Sequence, residues 1–521
     1  MSDLIIKIPM LVAFFGIMIA IGLYCRKHST DVNGFVLGGR SVGPWLTAFA
    51  YGTSYFSAVV FVGYAGQFGW KYGIAATWAG IGNALIGSLM AWGVLGRRTR
   101  VMTQHLDSAT MPQFFEKRFD SKGLKLAASA VIFIFLIPYT ASLYNGLSRL
   151  FGMAFEIDYS VCVIVMAVLT GIYVIAGGYM ATAINDFIQG IIMIVGIIAV
   201  ISAVLKGQGG FMEALNKLGQ VSDPAVSSTP GVFNSFFGPD PANLLGVVIL
   251  TSLGTWGLPQ MVQKFYAIKS EQAISKGMII STVFAAIVAG GCYFLGGFGR
   301  LFSDQIDIAA NGYDSVIPTM LADLSPFLIS IVVILVLSAS MSTLSSLVLA
   351  SSSTLTLDFI KGSIIKEMNE KKQILVMRLL IVVFIAISVV LAILQYKSNV
   401  TFIAQLMGVS WGALAGAFLA PFLYSLYWKR VTKPAVWVSF VFSTVVMLAN
   451  VAAKPLFPAI LQSPINAGAF CMIAGLILVP IVSMVTKPMP ASLTEQVFSC
   501  YDRTVTVSVK DSIGEAHYEE V

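Results

Sequence analysis

Ser338-Ala339-Ser340-Met341-Ser342-Thr343-Leu344-Ser345-Ser346 decides how this chain is read. The stretch sits inside a long apolar segment, 325–352. Ten hydroxyl side chains fall between Ser338 and Thr354, and no charged residue follows until Asp358. A hydroxyl at membrane depth is costly unless something hydrogen-bonds or coordinates it. On a helix, residues i, i+3 and i+4 share a face. The Ala339 carbonyl oxygen therefore lies near the hydroxyls of Ser342 and Thr343. Three oxygens on one patch, with no thiolate or imidazole, suit a hard cation. Small residues also let membrane helices pack closely. The stretch taken alone leaves both readings open.

Composition narrows the class. Of 521 residues, 57% are hydrophobic and 11% charged, against about 25% charged in soluble domains. The mean hydropathy is +0.85. This is an all-α membrane protein in a lipid bilayer. Five scattered cysteines suggest neither a disulfide framework nor a zinc cluster. The three histidines fall outside the apolar segments, and no constellation supports an enzyme. The net charge of +7 lies in short loops between spans, which speaks against a nucleic-acid partner. No cofactor is expected.

About thirteen segments are long enough to cross a bilayer. They run 4–24, 45–69, 73–96, 126–150, 159–178, 187–206, 243–262, 277–299, 325–352, 375–396, 402–427, 435–453 and 466–486. Cations collect after alternate spans: Arg26 and Arg40; Arg97, Arg98, Arg100, Lys117 and Arg118; Lys264, Lys269 and Lys276; Lys361, Lys371 and Arg378; Lys429, Arg430 and Lys433. The positive-inside rule then places the N-terminus outside and the C-terminus in the cytoplasm. The first span has no cationic leader or cleavage site and reads as a retained helix.

Two spans look broken. The second carries Gly52-Thr53-Ser54-Tyr55 near its middle, which predicts an interruption at Thr53–Phe56. The seventh carries Gly254, Gly257 and Pro259. Five spans separate their starts. Spans 2–6 and 7–11 thus form two five-helix units, the second inverted because five is odd. Paired interrupted helices at matching positions point to a transport site at the midplane. The chain divides into an extra N-terminal helix and cytoplasmic loop (1–43), a first repeat (44–206), an extracellular loop (207–242), an inverted repeat (243–428), two peripheral helices (429–486) and a cytoplasmic tail (487–521). Met111–Phe119 reads as a short cytoplasmic helix, Pro138 predicts a kink, and Asp186 reads as the cap of span six. In the tail, Thr504–Val509 alternates like a strand.

Four landmarks carry a resemblance. They are Phe35-Val-Leu-Gly-Gly-Arg-Ser, the run Gly177-Gly178…Asn185-Asp186…Gln189, Gly257-Leu258-Pro259, and Ser340-Met341-Ser342-Thr343-Leu344-Ser345. Together they resemble the sodium/solute symporter family, whose members include bacterial proline and pantothenate carriers. The resemblance implies a leucine-transporter-like fold of two inverted repeats. It implies a sodium ion held by the backbone carbonyls of Thr53, Phe56 and Ala339 and the hydroxyls of Ser342 and Thr343. It places the solute near Tyr55, Ser57, Val59, Tyr139, Thr251, Thr255 and Trp256. Only Tyr139 of these matches the proline carriers; Thr53-Ser-Tyr-Phe-Ser, Phe68-Gly-Trp-Lys-Tyr-Gly and Val316-Ile-Pro-Thr are more similar to the pantothenate carriers. The expectation is a multi-pass protein of the cell membrane. It would import a small carboxylate-bearing solute (pantothenate-, monocarboxylate- or amino-acid-like) with sodium by alternating access. The alternatives are a proton-coupled carrier of the same fold, whose relay would need Asp186, and a proline-type symporter.

Overall fold

The structure is a computed structural model. It describes residues 2–26, 30–155, 158–361, 364–365, 367–398 and 403–502. The alternating stretch Thr504–Val509 lies outside the described residues. Among the described residues the chain is helical, and extended pairing is limited to isolated bridges such as Val42 with Ile268. Among the described residues ten helices are long and apolar enough to cross a membrane, or eleven if one bent pair counts as a single span.

The main helices in chain order are α1 (Ser2–Cys25), α2 (Pro44–Tyr55), α3 (Ala65–Tyr72), α4 (Lys122–Phe155), α5 (Tyr159–Gly207), α6 (Pro241–Gly257), α7 (Pro259–Ala267), α8 (Glu271–Gly296), α9 (Pro326–Thr354), α10 (Glu370–Ser398), α11 (Ile403–Tyr427), α12 (Lys433–Ala452) and α13 (Pro464–Val485). Both expected breaks are present. α2 starts on Pro44 and ends at Tyr55, after which Phe56 is extended (φ −95°, ψ 118°). A π-helical turn, Val59–Tyr64, then leads into α3. α6 and α7 meet at Leu258 (φ −77°, ψ 123°) with a 45° bend. Pro259 cannot donate to the preceding turn, which fixes the break there.

Three expectations need correction. The fifth and sixth segments are not separated by a loop: they join in α5, 49 residues long, with Gly178 alone outside helical geometry (φ 57°, ψ −148°). A side chain at Gly178 would meet the Phe35 carbonyl at 2.8 Å, so glycine answers both backbone and space. Asp186 therefore lies inside a helix and caps nothing. The stretch 207–242 is not only loop, since it holds the amphipathic helix Phe211–Gln220. Met111–Phe119 is a helix as read, capped by Thr110. Pro138 lies within α4, whose helix continues through it.

α9 and α11 form the centre. In α9 72% of the apolar window is buried and in α11 83%, against 22% in α1. α9 packs on α4 and α5, and α11 packs on α4, α12 and α13. From Leu335 to Thr354 every residue of α9 is buried, so the hydroxyls there must be served by protein. Elsewhere backbones approach directly. A Cβ on Gly69 of α3 would collide with the Gly296 carbonyl of α8, and one on Gly296 with the Ala65 carbonyl. Overpacking of this kind costs about 1–3 kcal/mol. Gly69→Ala and Gly296→Ala should each lower the melting temperature of the purified protein. Gly290→Ala, on α8 with nothing within 4 Å, should leave it unchanged in the same assay.

Candidate functional site

Where α2 stops, its last carbonyls lose their helical partners. α9 supplies the missing donors. Thr343 Oγ1 lies 3.1 Å from the Thr53 carbonyl oxygen, 3.3 Å from that of Phe56 and 3.1 Å from that of Ala339. Ser342 Oγ lies 3.2 Å from the Thr53 carbonyl oxygen and 3.0 Å from that of Ala339. All five residues are buried. The five positions expected to share a cation thus converge on one point.

Hydrogen counting makes the point sharper. Two hydroxyls bring two hydrogens to five oxygen–oxygen contacts. The remaining contacts set lone pairs against lone pairs. A cation among these oxygens would relieve that repulsion. The donor set carries no formal charge, which suits a monovalent hard ion better than a divalent one, whose burial would demand carboxylates. The C-terminal end of α2 adds the negative end of its dipole.

A second polar column runs beside the first. Ser54 Oγ and Ser346 Oγ are 2.9 Å apart, and Lys264 Nζ donates to Ser346 Oγ at 3.1 Å. The same ammonium lies 3.9 Å from an Asp186 carboxylate oxygen and 5.0 Å from the Tyr179 ring centre. Lys264 is 2% exposed and Asp186 fully buried. Lys264 was expected among loop cations. The helix α7 instead resumes after Pro259 and carries it inward with Gln260 and Gln263. The spacing Gln260, Gln263, Lys264 is the sequence signal: three polar residues at i, i+3 and i+4 share one helical face.

The expected solute residues separate into two groups. The Tyr139 hydroxyl lies near Ser57 and Trp411, with its ring edge-on to Trp411 at 5.9 Å. Thr251 lies near Tyr293, although its own hydroxyl donates to the Val247 carbonyl. Ser57 Oγ accepts from the Val59 amide at 3.2 Å and so caps the helix after the break. In the other group, Thr255 donates to the Gly87 carbonyl and Trp256 to the Ile86 carbonyl, both at 2.9 Å. These two hold α6 against the 83–90 turn. The side chain of Tyr55 lies outside the described residues. Reading the sequence missed Tyr64, Tyr293 and Trp411. Among the described residues Tyr64, Tyr139, Tyr293 and Trp411 have buried polar atoms without hydrogen-bond partners, and Tyr139 and Tyr293 both lie near Tyr64. Buried aromatic hydroxyls at mid-span are the signal that finds them.

Comparison with known proteins follows the same lines. The description of the Sodium:solute symporter family matches residues 35–441. The chain is 27% identical over 494 residues to the osmoregulated proline transporter OpuE of Bacillus subtilis (strain 168), covering 94% of this chain and 96% of that one. It is 31% identical over 458 residues to a sodium/proline symporter of Staphylococcus aureus (strain NCTC 8325 / PS 47), covering 86% of each. Among solved structures, a Na+-coupled sialic acid symporter in a substrate-bound outward-open state superposes with a TM-score of 0.73. That match has 17% identity and covers 93% of this chain and 98% of the other.

Removing one partner from a buried ion pair costs about 3–5 kcal/mol, because the other charge is left unpaired. Lys264→Met should therefore sharply lower the folded yield and melting temperature. The double variant Asp186→Asn with Lys264→Met should recover most of both, as measured by size-exclusion profiles and melting curves.

Proposed function

The chain belongs to the sodium:solute symporter family, and on that premise we propose that it imports a small amino-acid-like solute together with sodium by alternating access. The observation that carries this is the meeting of the Thr53, Phe56 and Ala339 carbonyls with the Ser342 and Thr343 hydroxyls. In this reading those five oxygens hold the ion.

Topology supports the proposal. The 47-residue run Val59–His105 and the 49-residue α5 are each about 70 Å long at ~1.5 Å per residue, twice a ~30 Å membrane core. Each crossing twice takes the eleven spans to thirteen. The N-terminus then faces outward and the C-terminus inward, in the cell membrane. Residues 44–206 and 243–428 become two inverted repeats, each opening with a broken helix.

Charge selects the solute. No basic side chain accompanies Ser57, Tyr64, Tyr139, Tyr293 and Trp411 among the described central residues. One charge crossing ~100 mV gains about 2.3 kcal/mol, and a tenfold sodium ratio adds about 1.4 kcal/mol. A net-neutral zwitterion with one sodium could be concentrated about 500-fold on those figures. A monoanion with one sodium moves no net charge, so roughly tenfold remains. A zwitterionic carboxylate is therefore favoured over a monocarboxylate or pantothenate. L-proline is the first solute to test, because two similar proteins bear that name.

Sodium drives transport only if it favours one conformation. Bound sodium would pin the end of α2 against α9 and so shape the solute site beside it. Hydrogen bonds and contacts to a charge are worth about 1.5–3 kcal/mol, so Ser342→Ala or Thr343→Ala should raise the sodium concentration for half-maximal uptake about tenfold or more at unchanged protein level. Uptake by membrane vesicles under sodium, lithium or proton gradients measures this, and unchanged sodium activation in both variants removes the assignment. Asp186 favours a second reading, proton coupling: uptake indifferent to sodium but abolished by a protonophore would establish it.

A further inference from the structure

After α13 the chain turns back onto the bundle. Ala491–Phe498 is a helix of 8 residues, and Ser499–Tyr501 adds a further turn. A helix this short does not hold itself in water, where about 12–15 residues are needed. This one is ordered by what it lies on. Thr494, Val497 and Phe498, spaced i, i+3 and i+4, are buried together, and Cys500 follows them inward.

The surface beneath is a platform of cations. The Arg98 guanidinium, on the helix Arg97–His105, lies 4.6 Å from the Tyr501 ring centre and 4.1 Å from that of Tyr427. Arg118, on the helix Met111–Phe119, and Lys429, just past α11, lie 4.9 and 5.8 Å from the Phe498 ring centre. None of the three joins an ion pair among the described residues. The arginines donate instead to carbonyls at the end of α11. Arg98 reaches Leu426 at 3.0 Å, and Arg118 reaches Ser425 and Trp428, both at 3.3 Å. Arg118 is fully buried, and its Nη1 has no partner. Two bonds to the main chain complete the contact. The Tyr501 hydroxyl donates to the Arg98 carbonyl at 3.1 Å, and His105 Nε2 donates to the Gln496 carbonyl at 2.9 Å.

The segment therefore spans a seam. On one side is the run Val59–His105, which continues from the break at Phe56. On the other is the end of α11. The Tyr427 hydroxyl closes the seam on the Val94 carbonyl at 2.5 Å. A pocket lined by Met111, of the same short helix as Arg118, with Gln263, Tyr266 and Ser353 has only about 10 Å³, barely room for one water molecule. The bundle is shut at this end.

We propose that residues 491–501 are an autoinhibitory strap, docked on Arg98, Arg118 and Lys429, that holds the cytoplasmic end closed until it is released. The strap rests on the alternating-access reading and adds a brake to it. If one repeat rocks against the other, this end opens by drawing the run Val59–His105, of the first repeat, away from α11, of the second. The strap grips both. Its grip is reversible by construction. It uses ring faces and two hydrogen bonds, with no carboxylate, and a ring holds a cation best where water is kept out. Peeling it away returns three cations to water, so hydration offsets much of the lost contact.

The test uses the full-length chain in inside-out membrane vesicles. Cys500→Ser removes the thiol of the strap, and the four other native cysteines, all buried, set the baseline. Ser353→Cys, at a position 1% exposed in the pocket beside Met111, reports opening by its rate of reaction with a membrane-impermeant maleimide. Phe498→Ala with Tyr501→Ala should raise that rate about fivefold or more, and should raise the maximal rate of sodium-driven uptake at unchanged protein level. Tyr501→Phe, which keeps the ring over Arg98, should label within about twofold of the unmodified strap. If the double variant is lost in purification, Tyr501→Ala alone carries the test, with a rise of about twofold or more. Labelling that is unchanged or lowered overturns the proposal, and so does faster labelling with no gain in maximal uptake. If the unmodified chain takes up no solute with sodium, the symport reading fails by itself, and the labelling comparison still decides the strap.

Discussion

A carbonyl freed inside a membrane must find a donor or a cation, and this requirement organises the molecule. Unfolding one residue of α2 at Phe56 releases backbone oxygens where water is scarce. Only a helix rich in hydroxyls can stand opposite, and α9 is that helix. Its burial follows from the same requirement. A serine-rich segment facing lipid would leave its hydroxyls with their own backbone alone, whereas at the centre Ser342 and Thr343 reach a second helix. The broken helix and the polar helix each make the other tolerable.

Ser346 extends this logic to the second break. Its hydroxyl touches Ser54 of α2 and Lys264 of α7, at 2.9 and 3.1 Å. Both interrupted helices thus meet α9 on one turn, between the Thr343 contacts and the Asp186 pair. The ion pair itself is weak evidence for stability, since burying two charges offsets much of their attraction. Its effect is on register. A rigid displacement of α7 must move Lys264 away from Asp186 or carry both along, so the pair discourages intermediate positions.

The backbone features of the fold were legible because they depend on local chemistry. Gly52-Thr53-Ser54 and Gly257-Leu258-Pro259 mark breaks through propensity and a missing amide. Ala339, Ser342 and Thr343 mark a shared oxygen patch through helical spacing. Their meeting with Thr53 and Phe56 required kinship, since spacing within one segment says nothing of a contact 290 residues away. Lys264 was misplaced because a cation after an apolar run looks like a loop residue, and only the resumption of helix beyond Pro259 turns it inward. Asp186 reads as a cap in the sequence because Gly177-Gly178 looks like the end of a helix. Gly178 does break helical geometry, but α5 resumes at once, so the carboxylate faces a neighbour and not a helix end. Tyr64, Tyr293 and Trp411 were hidden among the 12% aromatic residues, most of which simply pack.

In the proposed symport reading, the neutrality of the five-oxygen cluster has a functional consequence. A carboxylate in contact with sodium would bind it more tightly in a low dielectric, by an amount that grows as water is excluded. Tight binding would stall release on the inner face, because a carrier must let go of what it has carried. Five uncharged oxygens would give a shallower well, and the buried Asp186 carboxylate already has Lys264 beside it. In that reading the lysine would act on the ion at one remove, by keeping a negative charge from deepening the site. On this reading, replacing both Lys264 and Asp186 by neutral residues leaves sodium affinity nearly unchanged. Neutralising the lysine alone strengthens sodium binding and slows release, a sign opposite to that expected of a lysine that merely holds helices together.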